Sequence, residues 1–189
     1  MIRPKGEVIK RSLPDGFSFV FFTECSDDIG SWCDICRKAN MCSNPNNEEV
    51  FSKVMRSVRG IELERDLFFV VAPDGTKIAT SAIIHNKEKN SGYLHMVASV
   101  PEYRNLGLAA RIKEKTFELA RLRFPFAKLF SITTSLPVMK LNSRLGYKPV
   151  TFSELTDDEE FWAGCQGCCN YDILLRNNRR MCLCTGMLY

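Results

Sequence analysis

The sequence predicts a mixed α/β fold built around one main sheet, and three observations predict it. Short aromatic and β-branched runs alternate with amphipathic stretches in the order strand, two helices, three-strand meander, helix, strand, helix, strand. Turn residues punctuate these runs, above all Pro73-Asp74-Gly75 inside the meander. Hydrophobic residues make up 45% and charged residues 25% of 189 positions, so the chain has material for a core and is not a disordered polymer. That length suits one domain, or one domain with an appendage.

Each element has a local reason. Residues 17–23 (FSFVFFT) follow the Pro14-Asp15-Gly16 turn and read as a buried strand. Ser26-Asp27-Asp28 supplies capping oxygens and negative charge for a helix running to about Ala39. Asn44-Pro45-Asn46-Asn47 breaks the chain before a second helix over 48–58, where Phe51, Val54, Met55 and Val58 share a face. Strands follow at 67–71, 77–84 and 92–100, the last stopped by Pro101. In a helix over 105–122, Leu108, Ile112, Leu119 and Leu122 share a face that Arg111, Lys113, Lys115 and Arg121 mostly avoid. Residues 128–133 read as a strand, 138–145 as a helix closed by Gly146, and 147–152 as a strand.

Several function classes are argued against. The net charge of +4 is evenly spread, which argues against nucleic acid as a partner. No apolar run approaches the roughly 20 residues that span a bilayer. The first residues lack an apolar secretory core, so a soluble cytoplasmic protein with reduced thiols is expected. Nine cysteines (25, 33, 36, 42, 165, 168, 169, 182 and 184) are the outlying count, and an odd number argues against a complete disulfide framework. The two His residues cannot supply a His-rich metal centre.

The segment from Val97 to Ala110 (VASVPEYRNLGLAA) reads as a strand, a tight turn and a helix start. Within it, Arg104-x-x-Gly107-x-Ala109 opens the helix. The first turn of a helix leaves N–H groups unpaired and slightly positive, and Gly and Ala let a phosphate come close. It is neither a P-loop nor a dinucleotide-binding turn, whose glycines fall elsewhere. The run 100–109 resembles the acyl-CoA-binding motif of the GNAT superfamily of N-acetyltransferases. Leu145-Gly146-Tyr147 resembles that family's second landmark. The order of elements from Phe17 to Phe152 fits as well, so the resemblance covers most of the chain.

The resemblance implies a mostly antiparallel sheet with one splayed parallel strand pair, flanked by helices. Acetyl-CoA would sit between the splayed strands 92–100 and 128–133. Main-chain groups of Met96, Val97, Ala98, Ser99 and Val100 would pair with the pantetheine amides, and those of Arg104, Asn105, Leu106, Gly107, Leu108 and Ala109 would hold the pyrophosphate. The family's usual acid, a Tyr four residues before the Gly of the second landmark, is replaced here by Asn142, which can only donate a hydrogen bond. His95 stands where some arylalkylamine acetyltransferases of the family carry a His. It is the candidate base, against the simpler reading of a half-buried strand histidine. His85, near a turn, is expected to be exposed. Ser99 and Thr133 are candidate polar contacts. The family often dimerises, which makes a homodimer a further expectation.

The C-terminal region completes the reading. Asp157-Asp158-Glu159-Glu160 could attract a cationic amine, but Thr156-x-x-Glu159 reads better as a capping box. Cys165-x-x-Cys168 and Cys182-x-Cys184 flank residues 171–183, which read as a hairpin. A hairpin would join its ends and let Cys165, Cys168, Cys182 and Cys184 form a tetrahedral zinc site; reduced thiols or an oxidative disulfide are the alternatives. Cys33 and Cys36 fall within a helix with Ile29 and Trp32 and read as packing. The expected organisation is therefore an acetyltransferase-like domain over 1–152 and a Cys-rich extension over 153–189 packed on it. The expected activity moves an acetyl group from acetyl-CoA to a primary amine. The alternatives are a transferase for a longer acyl group, decided by the pocket near Met96 and Met139, and an acyl-CoA-binding regulatory or interaction module without activity.

Overall fold

The computed structural model describes residues 12–58 and 61–189; of Leu94, His95 and Met96 only the backbone is described. The described residues form two compact units, one of residues 12–85 and 94–123, the other of residues 86–93 and 124–189. The architecture is mixed α/β, with strands that pair antiparallel except for one parallel pair.

In the first unit, β1 (Ser18–Phe21), β2 (Leu67–Val71) and β3 (Lys77–Asn86) lie side by side, antiparallel. The hairpin between β2 and β3 forms at the expected Asp74-Gly75, with Gly75 at φ +86° and Thr76 N–H donating to the Asp74 carboxylate at 2.9 Å. β3 is buried along nearly its whole length, on both faces. It runs two residues past its expected end, and this corrects the reading of His85, which is buried rather than exposed.

Helix α1 (Ser26–Lys38) packs Ile29, Trp32, Cys33, Ile35 and Cys36 inward. Cys25 is its N-cap, without a side-chain cap. Asp28 instead accepts the Thr23 N–H at 2.7 Å and the Thr23 hydroxyl at 2.9 Å, and pairs with Lys77. Burial pushes its carboxyl up, but the bonds from Lys77 and Thr23 outweigh this and hold it below its ordinary value. The second helix, α2 (Asn47–Phe51), is capped by Asn46 and continues as a π turn over Ser52–Arg56. Phe51 stacks on Phe22 at 5.2 Å and meets Trp32 edge-on at 5.2 Å. A short α3 (Leu63–Asp66), absent from the sequence reading, precedes β2. The long α4 (Leu108–Arg123) ends the unit, and its Arg123 donates to buried Asp66 at 2.7 Å.

The strand β4 (Ser91–Ser99) contributes to both units. In the second unit its first residues pair in parallel with β5 (Lys128–Thr133), Ser91 opposite Lys128 and Tyr93 opposite Phe130. Helix α5 (Leu136–Arg144) leads to β6 (Lys148–Val150), and β7 (Thr185–Leu188) inserts between β5 and β6, antiparallel to each. Two short helices, α6 (Glu159–Ala163) and α7 (Tyr171–Arg176), cover this part of the sheet. Phe130, Phe152, Leu155, Trp162 and Leu174 form their shared core. The expected hairpin over 171–183 is thus corrected. Its first arm is helical, with an Asp172–Arg176 ion pair one turn apart at 3.0 Å. The only strand that follows is β7, beyond the last cysteine.

Candidate active site

The expected acyl-CoA turn is one continuous run in the first unit. Pro101 holds Val100 in extended backbone, and Val100 N–H donates to Ile78 O at 2.9 Å. A single 3-10 turn over Pro101–Tyr103 follows, closed by Tyr103 N–H to Val100 O and Arg104 N–H to Pro101 O, both at 3.1 Å. Asn105 (φ +67°) and Gly107 (φ +70°) then take left-handed backbone. These two residues delay the helix, so α4 starts at Leu108 rather than at the expected Asn105.

The consequence is a row of amides. Among the described residues, the N–H groups of residues 105–110 meet no backbone acceptor. Leu108 and Ile112 are buried and anchor the helix, while Arg104, Asn105, Leu106, Gly107 and Ala109 are exposed. Arg111 arches back over the turn. Its Nη1 donates to Leu106 O at 2.8 Å and its Nε to Ser12 O at 2.5 Å. A Cβ on Gly107 would lie 2.6 Å from that Nη1. Sequence reasoning turned Arg111 away as a solvent-facing charge; its place one helical turn after Gly107 was the signal for a role here. Free amides, a helix N-terminus and a guanidinium together make an anion cradle.

Upstream, Ala98 on β4 and Val100 just after it are buried, and Val97 and Ser99 on β4 are half-buried, as alternation requires. The side chains of His95 and Met96 lie outside the described residues.

Asn142 lies on α5 in the second unit and is fully buried. Its Nδ2 donates to Met187 Sδ on β7 at 3.6 Å, and its carbonyl accepts from Leu145 N–H at 3.0 Å and Tyr147 N–H at 3.1 Å. Gly146 closes the helix at φ +97°, and a Cβ at this position would lie 3.1 Å from the Tyr189 ring. The Leu145-Gly146-Tyr147 landmark therefore builds a buried helix stop, with Tyr147 inside it.

The acidic run is taken up structurally. Asp158 caps α6 through Glu160 N–H at 3.0 Å and accepts from Asn86 at 2.7 Å. Asp157 pairs with Lys89 at 3.1 Å and Glu159 with Arg179 at 2.5 Å. The capping box expected at Thr156 and Glu159 is not formed. The capping box of this region lies at Thr151 and Glu154 instead.

The four C-terminal cysteines do come together. Cys165, Cys168, Cys182 and Cys184 line one small cavity with Phe152 and Leu174. Burial pushes the Cys184 thiol up to about 11, with Cys182, Cys168 and Cys165 adding in the same direction. Among the described residues, no three Cys, His, Asp or Glu side chains stand at coordination geometry. In α1, burial pushes Cys33 up to about 11 and Cys36 to about 12, which makes both inert packing groups. A separate open cleft of about 660 Å³, lined by Phe21, Glu24, Glu62, Glu64, Arg65 and Arg123, lies at the far end of α4 from the turn. Among the described residues no helix is long and apolar enough to cross a membrane.

Comparison with known proteins agrees with the fold. No curated relative matches the chain. A GCN5-related N-acetyltransferase from Sphaerobacter thermophilus superposes with TM-score 0.56 at 22% identity, over 74% of this chain. The present chain spans 46% of that protein's length. The ribosomal-protein-S18-alanine N-acetyltransferase of Escherichia coli gives TM-score 0.55 at 17% identity, covering 71% of this chain and 79% of its own. N-acetylglutamate synthase from Neisseria gonorrhoeae, complexed with coenzyme A and N-acetyl-glutamate, gives TM-score 0.56 at 13% identity, over 91% of this chain and 34% of its own. A family model matches residues 32–147, a span that holds β4, the amide-lined turn, α4 and the Leu145-Gly146-Tyr147 helix stop, and with it the chain belongs to the acetyltransferase (GNAT) family.

Proposed function

We infer that the protein moves an acetyl group from acetyl-CoA to a primary amine by direct attack. The carrying observation is the largely exposed turn at Arg104–Ala109, where the N–H groups of residues 105–110 meet no backbone acceptor among the described residues, at the start of α4 in a chain of this family. The pyrophosphate of acetyl-CoA is the ligand that such a cradle suits, with Arg111 adding a fixed positive charge. Backbone groups of Met96 to Val100 bind the pantetheine arm as an added strand. The coenzyme A in the Neisseria structure supports the donor, and the alanine N-acetyltransferase from Escherichia coli supports an amine acceptor.

In the reaction, the amine nitrogen attacks the thioester carbonyl, a C–N bond forms and the C–S bond breaks. The amine must first be neutral, and its second proton must leave as the bond forms. His95 on β4 is the assigned base. Asn142 has no proton to give, and its amide is engaged with Met187. The departing thiolate, with an ordinary thiol pKa of about 8.5, takes its proton from water. The nine free thiols fit a cytoplasmic setting.

One observation favours a second reading. The family's acid position holds a buried, bonded Asn142, which suits an acyl-CoA-binding module without turnover. Titration calorimetry with CoA and acetyl-CoA, followed by release of free thiol across a panel of amines, separates the two. Binding with amine-dependent thiol release supports the transferase. Binding without release on the whole panel favours the module, and no binding removes both.

A further inference from the structure

We propose that Cys165, Cys168, Cys182 and Cys184 form a binding site for one thiolate-preferring divalent cation, zinc being the chemical type, which staples the helices α6 and α7 to β7.

The geometry carries this through the way two separate segments meet. Cys165 and Cys168 sit on a tight turn closed by Cys168 N–H to Cys165 O at 2.9 Å. Cys182 and Cys184 lie just before β7, which is fixed between two strands. The Asn170 peptide bridges the pairs. Its N–H donates to Cys168 Sγ at 3.5 Å, and its carbonyl accepts the Cys182 thiol at 3.8 Å. A backbone N–H aimed at sulfur is the kind of outer support that a thiolate ligand uses. All four cysteines line the same cavity, whose volume is about 20 Å³, room for one species no larger than a water. Its remaining walls are Ile132, Phe152, Leu174, Tyr171 and Asn170, and a cavity this small has no room for an organic ligand. Four sulfurs in two chelating pairs are the donor set of a structural zinc site.

A staple here would add to the hydrophobic core that Phe152, Trp162 and Leu174 already share. Helices α6 and α7 have 5 and 6 residues. Isolated helices under about 12 residues are marginal in water, and small lobes of this type are held by metals or cross-links. The sulfurs surround the cavity without standing at ligand spacing. Ligation draws the segment before β7 onto the Cys165–Cys168 turn, to Zn–S distances of about 2.3 Å. Each thiol gives up one proton to solvent as it binds, so the filled site carries a net charge of about −2.

The test is independent of catalysis. The full chain is purified without chelators under reducing conditions, and its zinc is measured by mass spectrometry of the elements. It is then stripped and titrated with Co²⁺. About one metal per chain, and a cobalt spectrum with thiolate charge-transfer bands and tetrahedral d–d intensity, is expected. The Cys182→Ser/Cys184→Ser variant should lose at least about nine-tenths of the metal. If that variant fails to fold, the wild-type cobalt spectrum still decides. Substoichiometric metal with no cobalt–thiolate bands overturns the proposal, as does recovery of the four sulfurs as disulfides that form equally well with Zn²⁺ present.

Discussion

The turn before α4 and the cap before β7 solve opposite problems. The turn uses backbone: left-handed Asn105 and Gly107 leave a row of amides outside the helix, and only Arg111 adds a side chain. The cap uses side chains: four sulfurs and a set of aromatic rings gather around helices too short to hold themselves. A site made of backbone tolerates many sequences but few conformations. A site made of side chains tolerates backbone drift but not loss of its donors. Glycine makes the contrast concrete, since each region has one whose replacement by alanine adds a single methyl group.

Three substitutions sharpen this comparison, in order of expected effect. The first tests the helix that carries the turn. Lys113 on α4 is buried, and burial pulls its ammonium down to about 8. Below that value both folded and unfolded chains hold the proton, so the burial penalty is fully present at neutral pH. As pH rises from about 8 toward 10.5, the folded chain sheds the proton first and stability increases. Lys113→Met should therefore stabilise the protein at pH 7, by up to about 3 kcal/mol, and flatten the rise above pH 8. Urea midpoints at pH 7 and 9.5 check both; an unchanged rise in the variant would assign it to another group.

The second is Gly186→Ala in the cap. A Cβ at Gly186 meets Leu155 Cδ1, Phe152 Cδ1 and Val150 O, each at 3.1 Å. The residue lies in β7 between two paired strands, so the neighbours have little room to yield. A loss of about 2 kcal/mol in unfolding free energy is expected, read from denaturant midpoints. The third is Gly107→Ala in the turn. Here the backbone is left-handed and the added carbon meets only the guanidinium of Arg111, the far end of a long side chain. CoA affinity should fall about tenfold by calorimetry, with stability lowered by about 1 kcal/mol or less. Equal loss of stability in both alanine variants, with CoA affinity unchanged in Gly107→Ala, would erase the distinction between the regions.

The same contrast explains what the sequence made legible. The elements β2 and β5 begin and end where hydropathy places them, and the Asp74-Gly75 turn forms as its chemistry requires. The strand, turn and helix start over Val97–Ala110 are legible because their signal is local, a strand, a Pro, a Gly and a helix start in one run. His85 was misplaced because β3 is covered on both faces, so alternation carries no information about its ends. The segment 171–176 was read as a strand from its apolar residues. Its helical signal was the spacing of Tyr171 and Leu174 and of Asp172 and Arg176. The strand β7, Thr-Gly-Met-Leu, has no β-branched run, and its place is set by pairing with residues 36 to 58 positions away in the chain, from Phe130 to Val150. The arch of Arg111 back over the turn goes with left-handed Asn105 and Gly107, a geometry that a count of charged helix positions does not register.

The position of β7 bears on how this chain is made. It follows every other strand in sequence, yet β5 and β6 both take their hydrogen-bonding partners from it. During synthesis, β5 leaves the ribosome some fifty residues before Thr185 does, and at roughly 10 residues per second its edge stays unpaired for several seconds. Through that interval the β5 edge is open, and the apolar Leu129 and Phe130 on that strand lack their final cover. Slow codons placed between Val150 and Thr185 should therefore lower soluble yield more than the same codons placed before Ser91.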